Sequence, residues 1–203
     1  MQSTDFSGIH VEGHIKIWDP ESKKVYIDKR NAIHYENMSI ALAQSIANSG
    51  QGFIYKMAFG NGGTTVDPTG IITYLSPNST GSNAGLYSET YSKIVDDQAS
   101  ANTDPTRNYI ETRHVTGTNY TDVFITCLLD YGEPSDQLAF DNSSNNQGSY
   151  VFDELGLKSF NSSGDEGLLL THVIFHPVQK SLNRLIQIDY TVRIQTLTGL
   201  AGV

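Results

Sequence analysis

The chain has a single cysteine, Cys127, so it can form no internal disulfide. Cys127 sits in the apolar run Val123-Phe124-Ile125-Thr126-Cys127-Leu128-Leu129, which is the setting of a buried, inert thiol and not of a nucleophile. Basic residues are scarce: 13 Lys and Arg stand against 22 Asp and Glu, a formal net charge of −9. Phosphate backbones and anionic lipid surfaces both require a basic footprint, and the pairs Lys23-Lys24 and Lys29-Arg30 are isolated. The balance therefore argues against a nucleic-acid partner and against a membrane partner. No apolar stretch approaches the roughly 20 residues of a membrane span. The opening Met1-Gln2-Ser3-Thr4-Asp5 lacks the charged-then-apolar pattern of a signal peptide, so a soluble chain made in the cytoplasm is expected. Charged residues of both signs reach only 17%, so the polar surface must be built from Ser, Thr, Asn, Gln, Gly and Tyr. Such a surface suits broad, wet protein contacts, because Tyr orders cheaply and small polar groups adapt.

The 203 residues, 38% of them apolar, suffice for one good-sized core. Residues 1–13 read as a polar N-terminal arm, and 14–203 as a single β-rich domain. His14–Trp18 and Val25–Ile27 alternate around the turn chemistry of Asp19-Pro20-Glu21-Ser22-Lys23, which predicts a hairpin. Met38, Ala41, Leu42, Ser45 and Ile46 share one face of a helix predicted over 36–48, with Gly50 and Gly52 following where a left-handed cap is needed. Phe53–Phe59 is apolar on both faces and reads as a central strand. Further strands are expected at 87–95, 109–115, 120–130, 151–157, 167–175 and 185–195. In the last of these Ile186, Ile188, Tyr190, Val192 and Ile194 share one face, opposite Gln187, Asp189, Thr191, Arg193 and Gln195. The fold class is therefore mainly β, a β-sandwich or jelly-roll-like domain of about eight strands with one short α-helix. Long polar loops are expected at 60–86 and 131–149, the second ending in the low-complexity run Asn142–Gly148. Loops of this length in a compact domain are usually functional or interfacial.

Tests for chemistry give no catalytic residue, cofactor or metal. Gly60-Asn61-Gly62-Gly63-Thr64 follows a strand but lacks the Lys-Ser/Thr of a phosphate loop, and a turn is the better reading. His172 and His176 are four apart on a strand that is expected to end at Pro177. There they stand roughly 13 Å apart and share no metal. Asp153-Glu154 are adjacent on a strand, point to opposite faces and cannot flank one glycosidic bond. Asp141–Asn145 offers oxygens at alternate positions but has Asn146 and Phe152 where an EF-hand loop has Gly and Glu. Aromatics in or near polar loops are the natural interface anchors: Trp18, Tyr74, Tyr87, Tyr109, Tyr131 and Tyr150.

Five segments carry a resemblance. Asn31-Ala32-Ile33-His34 leads to the small-residue helix Ala41–Ala47, then to Ile54-Tyr55-Lys56-Met57-Ala58-Phe59-Gly60-Asn61-Gly62. Phe152-Asp153-Glu154-Leu155-Gly156-Leu157 and then Leu168–Lys180 follow near the C-terminus. Together they resemble a pattern of tailed-bacteriophage virion proteins, over about residues 25–62 and 150–195. The resemblance implies a non-catalytic structural component of the virion. Such a component would assemble with its own copies in rings or trimers and dock on other virion proteins at the neck or tail, as collar or fibre base. A capsid decoration protein of the same virion is the alternative placement. Tyr-, Asn- and Asp-rich loops on a β-sandwich also suit sugars, so a carbohydrate- or receptor-binding module is the alternative from another class.

Overall fold

The computed structural model describes residues 6–81, 84–134, 149–163 and 167–199. The elements run β1 (Phe6–Trp18), β2 (Val25–Ile33), α1 (Tyr35–Ile46), β3 (Ile54–Gly60), β4 (Thr64–Val66), β5 (Ile72–Tyr74), β6 (Glu89–Ile94), β7 (Tyr109–His114), β8 (Tyr120–Leu129), β9 (Ser149–Ser159), β10 (Thr171–Ser181) and β11 (Ile186–Gly199). Nine strands form one curled antiparallel sheet in the order β6-β3-β9-β10-β2-β1-β11-β8-β7, while β4 and β5 make a separate hairpin. Among the described residues the protein is mainly β with one helix, as its alternation predicts.

The curl has a visible origin. β10 and β2 pair at only two positions, Thr171 with Ile33 and His172 with Ala32. So short a seam lets the four-stranded half (β6-β3-β9-β10) turn over the five-stranded half (β2-β1-β11-β8-β7). Ile15, Ile17, Ile125, Cys127, Ile188 and Tyr190 of one half then join Met57, Phe59, Leu155, Leu157, Val173 and Phe175 of the other in a single apolar cluster. Phe152 stands edge-on to Phe59 at 5.4 Å and to Phe175 at 5.8 Å, and stacks on Tyr150 at 5.4 Å. Edge-to-face rings add to the area they bury.

Four expectations are corrected. Residues 6–13 are no arm: they are the first part of β1, paired to β11 from Phe6 opposite Gly199 to Trp18 opposite Gln187. The polar look of Glu12 and His14 reflects an outer sheet face, not a loose terminus. The 60–86 region holds the two strands of the β4–β5 hairpin, and the described residues contain eleven strands. β10 does not stop at Pro177. Its register shifts between Ile174 and Val178, and this bulge absorbs the missing N–H of proline. Lys29 Nζ donates to the Ile174 carbonyl at 2.9 Å within it. The first left-handed residue after α1 is Asn48, at φ 51°, ahead of Gly50 and Gly52. The Asn142–Gly148 run lies outside the described residues.

Candidate functional site: a carboxylate hub beneath an exposed hairpin

Antiparallel pairing sets Gly60 of β3 opposite Glu154 of β9. This places the glycine turn that follows β3 directly over the Asp153-Glu154 pair. Three consecutive backbone N–H groups of the turn then point at the two carboxylates. Gly62 N–H donates to Glu154 Oε1 at 3.1 Å, Gly63 N–H to Asp153 Oδ1 at 2.9 Å and Thr64 N–H to Asp153 Oδ2 at 2.9 Å. The Thr64 hydroxyl also bonds Asp153 Oδ2. Successive N–H groups of this kind make an anion-binding nest. Here the anion is the protein's own, so the phosphate-loop resemblance of residues 60–64 is resolved inside the fold.

Glu154 is fully buried. Its Oε1 also accepts from Ser88 N–H at 2.7 Å, and its Oε2 from Tyr87 N–H at 2.9 Å and His172 Nε2 at 3.0 Å. Four donors fill the roughly four lone-pair sites of a carboxylate. His172 is equally committed: Asn78 N–H donates to its Nδ1 at 2.8 Å, so Nε2 carries the hydrogen given to Glu154. Burial pushes the Glu154 carboxyl up, but His172 and the backbone donors outweigh it and hold the group below its ordinary value. Burial raises Asp153, against the pull of Thr64 and Gly63, with the Glu154 charge adding to the rise. The arrangement positions two loops: Glu154 has its acceptor sites filled, and Asp153 accepts from the N–H groups of Gly63 and Thr64 and from the Thr64 hydroxyl.

The glycines of the hub are steric requirements. A Cβ on Gly60 would lie 2.4 Å from Glu154 Oε1 and 2.5 Å from the Ser88 carbonyl. One on Gly156 would lie 2.5 Å from the Thr171 carbonyl and 3.3 Å from Leu86. The 86–88 segment therefore lies close over β3 and β9. The helix entry joins the same place, with His34 N–H bonded to the Leu170 carbonyl and Tyr35 N–H to that of Ser79. Three of the resembling segments, 54–62, 152–157 and 168–180, thus supply residues of this hub, and the helix entry at His34 is bonded to the third.

Above it stands the β4–β5 hairpin. Its turn is closed by Asp67, whose Oδ1 accepts from Thr69 N–H at 2.8 Å and Ile71 N–H at 3.0 Å, and Leu75 N–H bonds the Gly63 carbonyl at 2.9 Å. It exposes apolar side chains: Val66 at 62%, Ile71 at 63%, Tyr74 at 50%, with Leu75 and Tyr87 also exposed. By register Val66 and Tyr74 share one face of the hairpin, and exposed apolar side chains grouped on one face make a candidate contact site.

The six aromatics singled out from the sequence have different fates. Tyr74 and Tyr87 belong to this exposed region, Tyr74 near His176 (3.3 Å) and Tyr87 donating to the Ser76 carbonyl at 2.8 Å. Tyr131 is exposed elsewhere and donates to Glu21 at 2.5 Å. Tyr109 lies on the edge strand β7. Trp18, on the outer sheet face, donates to Asp189 Oδ2 at 2.7 Å and is flanked by Lys16 and Lys23, each 5.2 Å from its ring. Tyr150 is a correction: it is fully buried among Tyr91 and Phe152 and offers no surface. Its place beside a polar loop concealed that β9 begins there. Two other outer aromatics are capped by cations, Phe124 by Arg113 at 4.2 Å and Tyr120 by Arg193 at 4.0 Å. Capped rings are less open to stacking by a sugar.

Sequence reasoning passed over Val66, Ile71 and Leu75, although the turn signal Asp67-Pro68-Thr69-Gly70 between apolar residues was there to find them. Among the described residues no cluster of three or more His, Cys, Asp or Glu is placed to hold a metal ion. Cys127 is fully buried, and burial pushes its thiol up to about 12. No described helix is long and apolar enough to cross a membrane. Comparison with protein-family models, curated proteins and solved structures finds no match.

Proposed function

We propose that this chain is a non-catalytic structural component of a tailed-phage virion, which assembles with its own copies and docks on the neck or tail, at the collar or fibre base. The observation that carries the reading is the β4–β5 hairpin, held by a buried carboxylate hub and presenting Val66, Ile71 and Tyr74 outward. The most reactive-looking groups of the chain, Glu154 and His172, spend their hydrogen-bonding capacity on mounting loops. Such a design serves display of a surface. Gly60, Gly62, Asp153, Glu154 and His172 of the hub come from segments that resemble phage virion proteins, which supports reading those segments together. A hairpin held at its base by the hub has less order to gain on docking, which lowers the ordering cost of the contact.

The test is immunogold labelling and mass spectrometry of density-purified tailed-phage particles that encode this chain. Several copies per particle, labelled at the neck or tail, are the expected result. Label over the head moves the protein to capsid decoration, and absence from purified particles overturns the reading. Replacing Val66, Ile71 and Tyr74 together by serine is expected to preserve the folded spectrum and abolish incorporation of the protein added in trans.

A further inference from the structure

The nine-stranded sheet ends on β7, and no strand among the described residues pairs with its outer side. Natural edges are commonly blunted by proline, bulges or capping side chains. The neighbouring stretch of β8 follows that rule: beyond β7, Leu128 N–H is taken by Asn108 Oδ1 at 2.9 Å and its carbonyl by Lys93 Nζ at 2.7 Å. β7 itself carries no proline and pairs with β8 without a register shift.

The direction of each backbone group on β7 follows from parity. Leu128 N–H points to the β7 side, so Asp122, Phe124 and Thr126 do too. Their partners Arg113, Glu111 and Tyr109 are then the hydrogen-bonded ones, and Ile110, Thr112 and His114 turn their N–H and C=O outward. Ile110 N–H indeed reaches away from β8 to Asp97 Oδ1, at a long 3.4 Å. Thr112 and His114 have their backbone donors on the open edge.

The outer side chains add a charge pattern. Cross-strand register lines up Glu12, Arg193, Asp122 and Arg113 across β1, β11, β8 and β7, alternating in sign. The row stops at the edge on Arg113, which also pairs with Glu111 two residues before it on the same face. A further strand would continue the alternation by placing an acidic residue opposite Arg113.

We propose that β7 pairs with β7 of a second copy of this chain, antiparallel about a two-fold axis at Thr112, with Glu111 of each copy opposite Arg113 of the other. The axis is selected by the residues. Only even residues face outward, so a symmetric register is centred on a residue, and those that keep most of the strand paired are centred on Glu111, Thr112 or Arg113. The first sets Glu111 against itself and the third sets Arg113 against itself, and like charges directly opposite destabilise a pair. The Thr112 register alone opposes acid to base twice. It also sets Tyr109 against Val115, which is 59% exposed in the single chain. Along the outer face Tyr-x-Glu-x-Arg-x-Val is then complementary to its own reverse. The inference rests on the self-assembly reading in taking a second copy as the partner, and it gives Tyr109 a role at an interface.

Light scattering on the purified chain over a micromolar to high-micromolar series tests it. The wild type is expected to reach a dimer. Glu111→Arg and Arg113→Glu are each expected to weaken dimerisation by at least about tenfold, since each brings like charges together. Mixing the two variants is expected to restore it as a heterodimer. Thr112→Pro removes an outward N–H and no bond to β8, so it is expected to abolish dimerisation while the thermal melt stays in place. A wild type that remains monomeric overturns the pairing, even when particle labelling upholds the virion reading. Self-association that ignores all these substitutions also overturns it, and leaves assembly to another surface.

Discussion

In the four-stranded half of the sheet the ionisable groups lie inside. Glu154, Lys158 and Lys180 are all buried, and Lys158 pairs with Glu89 at 2.5 Å. Lys180 Nζ donates to the carbonyls of Asp130, Glu133 and Ser181 at 2.8–3.0 Å. In the five-stranded half the charges stand among the outer-facing alternate residues and meet across strands, as Arg193 meets Asp122 in a two-bond pair at 2.7 and 2.8 Å. The difference follows from what covers each sheet. The glycine turn and the 86–88 segment cover Glu154, and the 130–133 segment closes over Lys180, so a charge there loses water and has to be matched bond for bond. The second half is open on its outer side, where water solvates what pairing does not.

The largest effect expected from this contrast is at Glu154. Glu154→Ala orphans three N–H groups and the His172 donor and is expected to lower stability by about 3–5 kcal/mol in denaturant titration. Asp122→Ala, at a pair whose carboxylate is largely buried but whose Arg193 side chain stays 36% exposed and can be solvated, is expected to lose less, about 1–2 kcal/mol. Equal losses would break the contrast.

Acidification sharpens it. The folded Glu154 carboxyl sits below its ordinary 4.5. Its stabilising contribution is therefore full above that value and is lost as pH falls through the folded one. Asp153, raised in the fold, works in the opposite sense: its contribution is present at low pH and is lost as pH rises through its folded value. The wild type is expected to lose stability below about pH 4.5 more steeply than Glu154→Gln, followed by thermal melts across the acid range.

A smaller effect belongs to Lys180, which burial pushes down to about 8 from 10.5. Between those values the unfolded chain holds a proton that the folded chain lacks, so this term raises stability as pH increases. The stability difference between wild type and Lys180→Met is expected to grow in favour of the wild type from pH 8 to 10.5, and a flat difference would remove Lys180 from the account.

Much of the five-stranded half was legible in the sequence. The β11 residues Ile186, Ile188, Tyr190, Val192 and Ile194 face inward as their alternation predicts, and the helix lies within two residues of its expected bounds. The four-stranded half was less so. Asp153-Glu154 read as an unproductive pair because neighbours on a strand diverge. Yet both reach the same turn, since that turn wraps around the strand that bears them. Tyr150 passed for a loop aromatic, and Pro177 for a strand end, because neither the start of β9 nor the β10 bulge has a local signature.

Composition, the lone cysteine and the period-2 alternation were settled by the sequence itself, because burial of one strand face is a property of consecutive residues. Only the tertiary structure decided that Gly62 meets Glu154, that His172 completes its coordination, that Val66 and Ile71 stand out on a fixed hairpin, and that β7 closes the sheet with one edge open. Each of those depends on the register and order of strands many residues apart, which the curl of the whole sheet sets and no local pattern records.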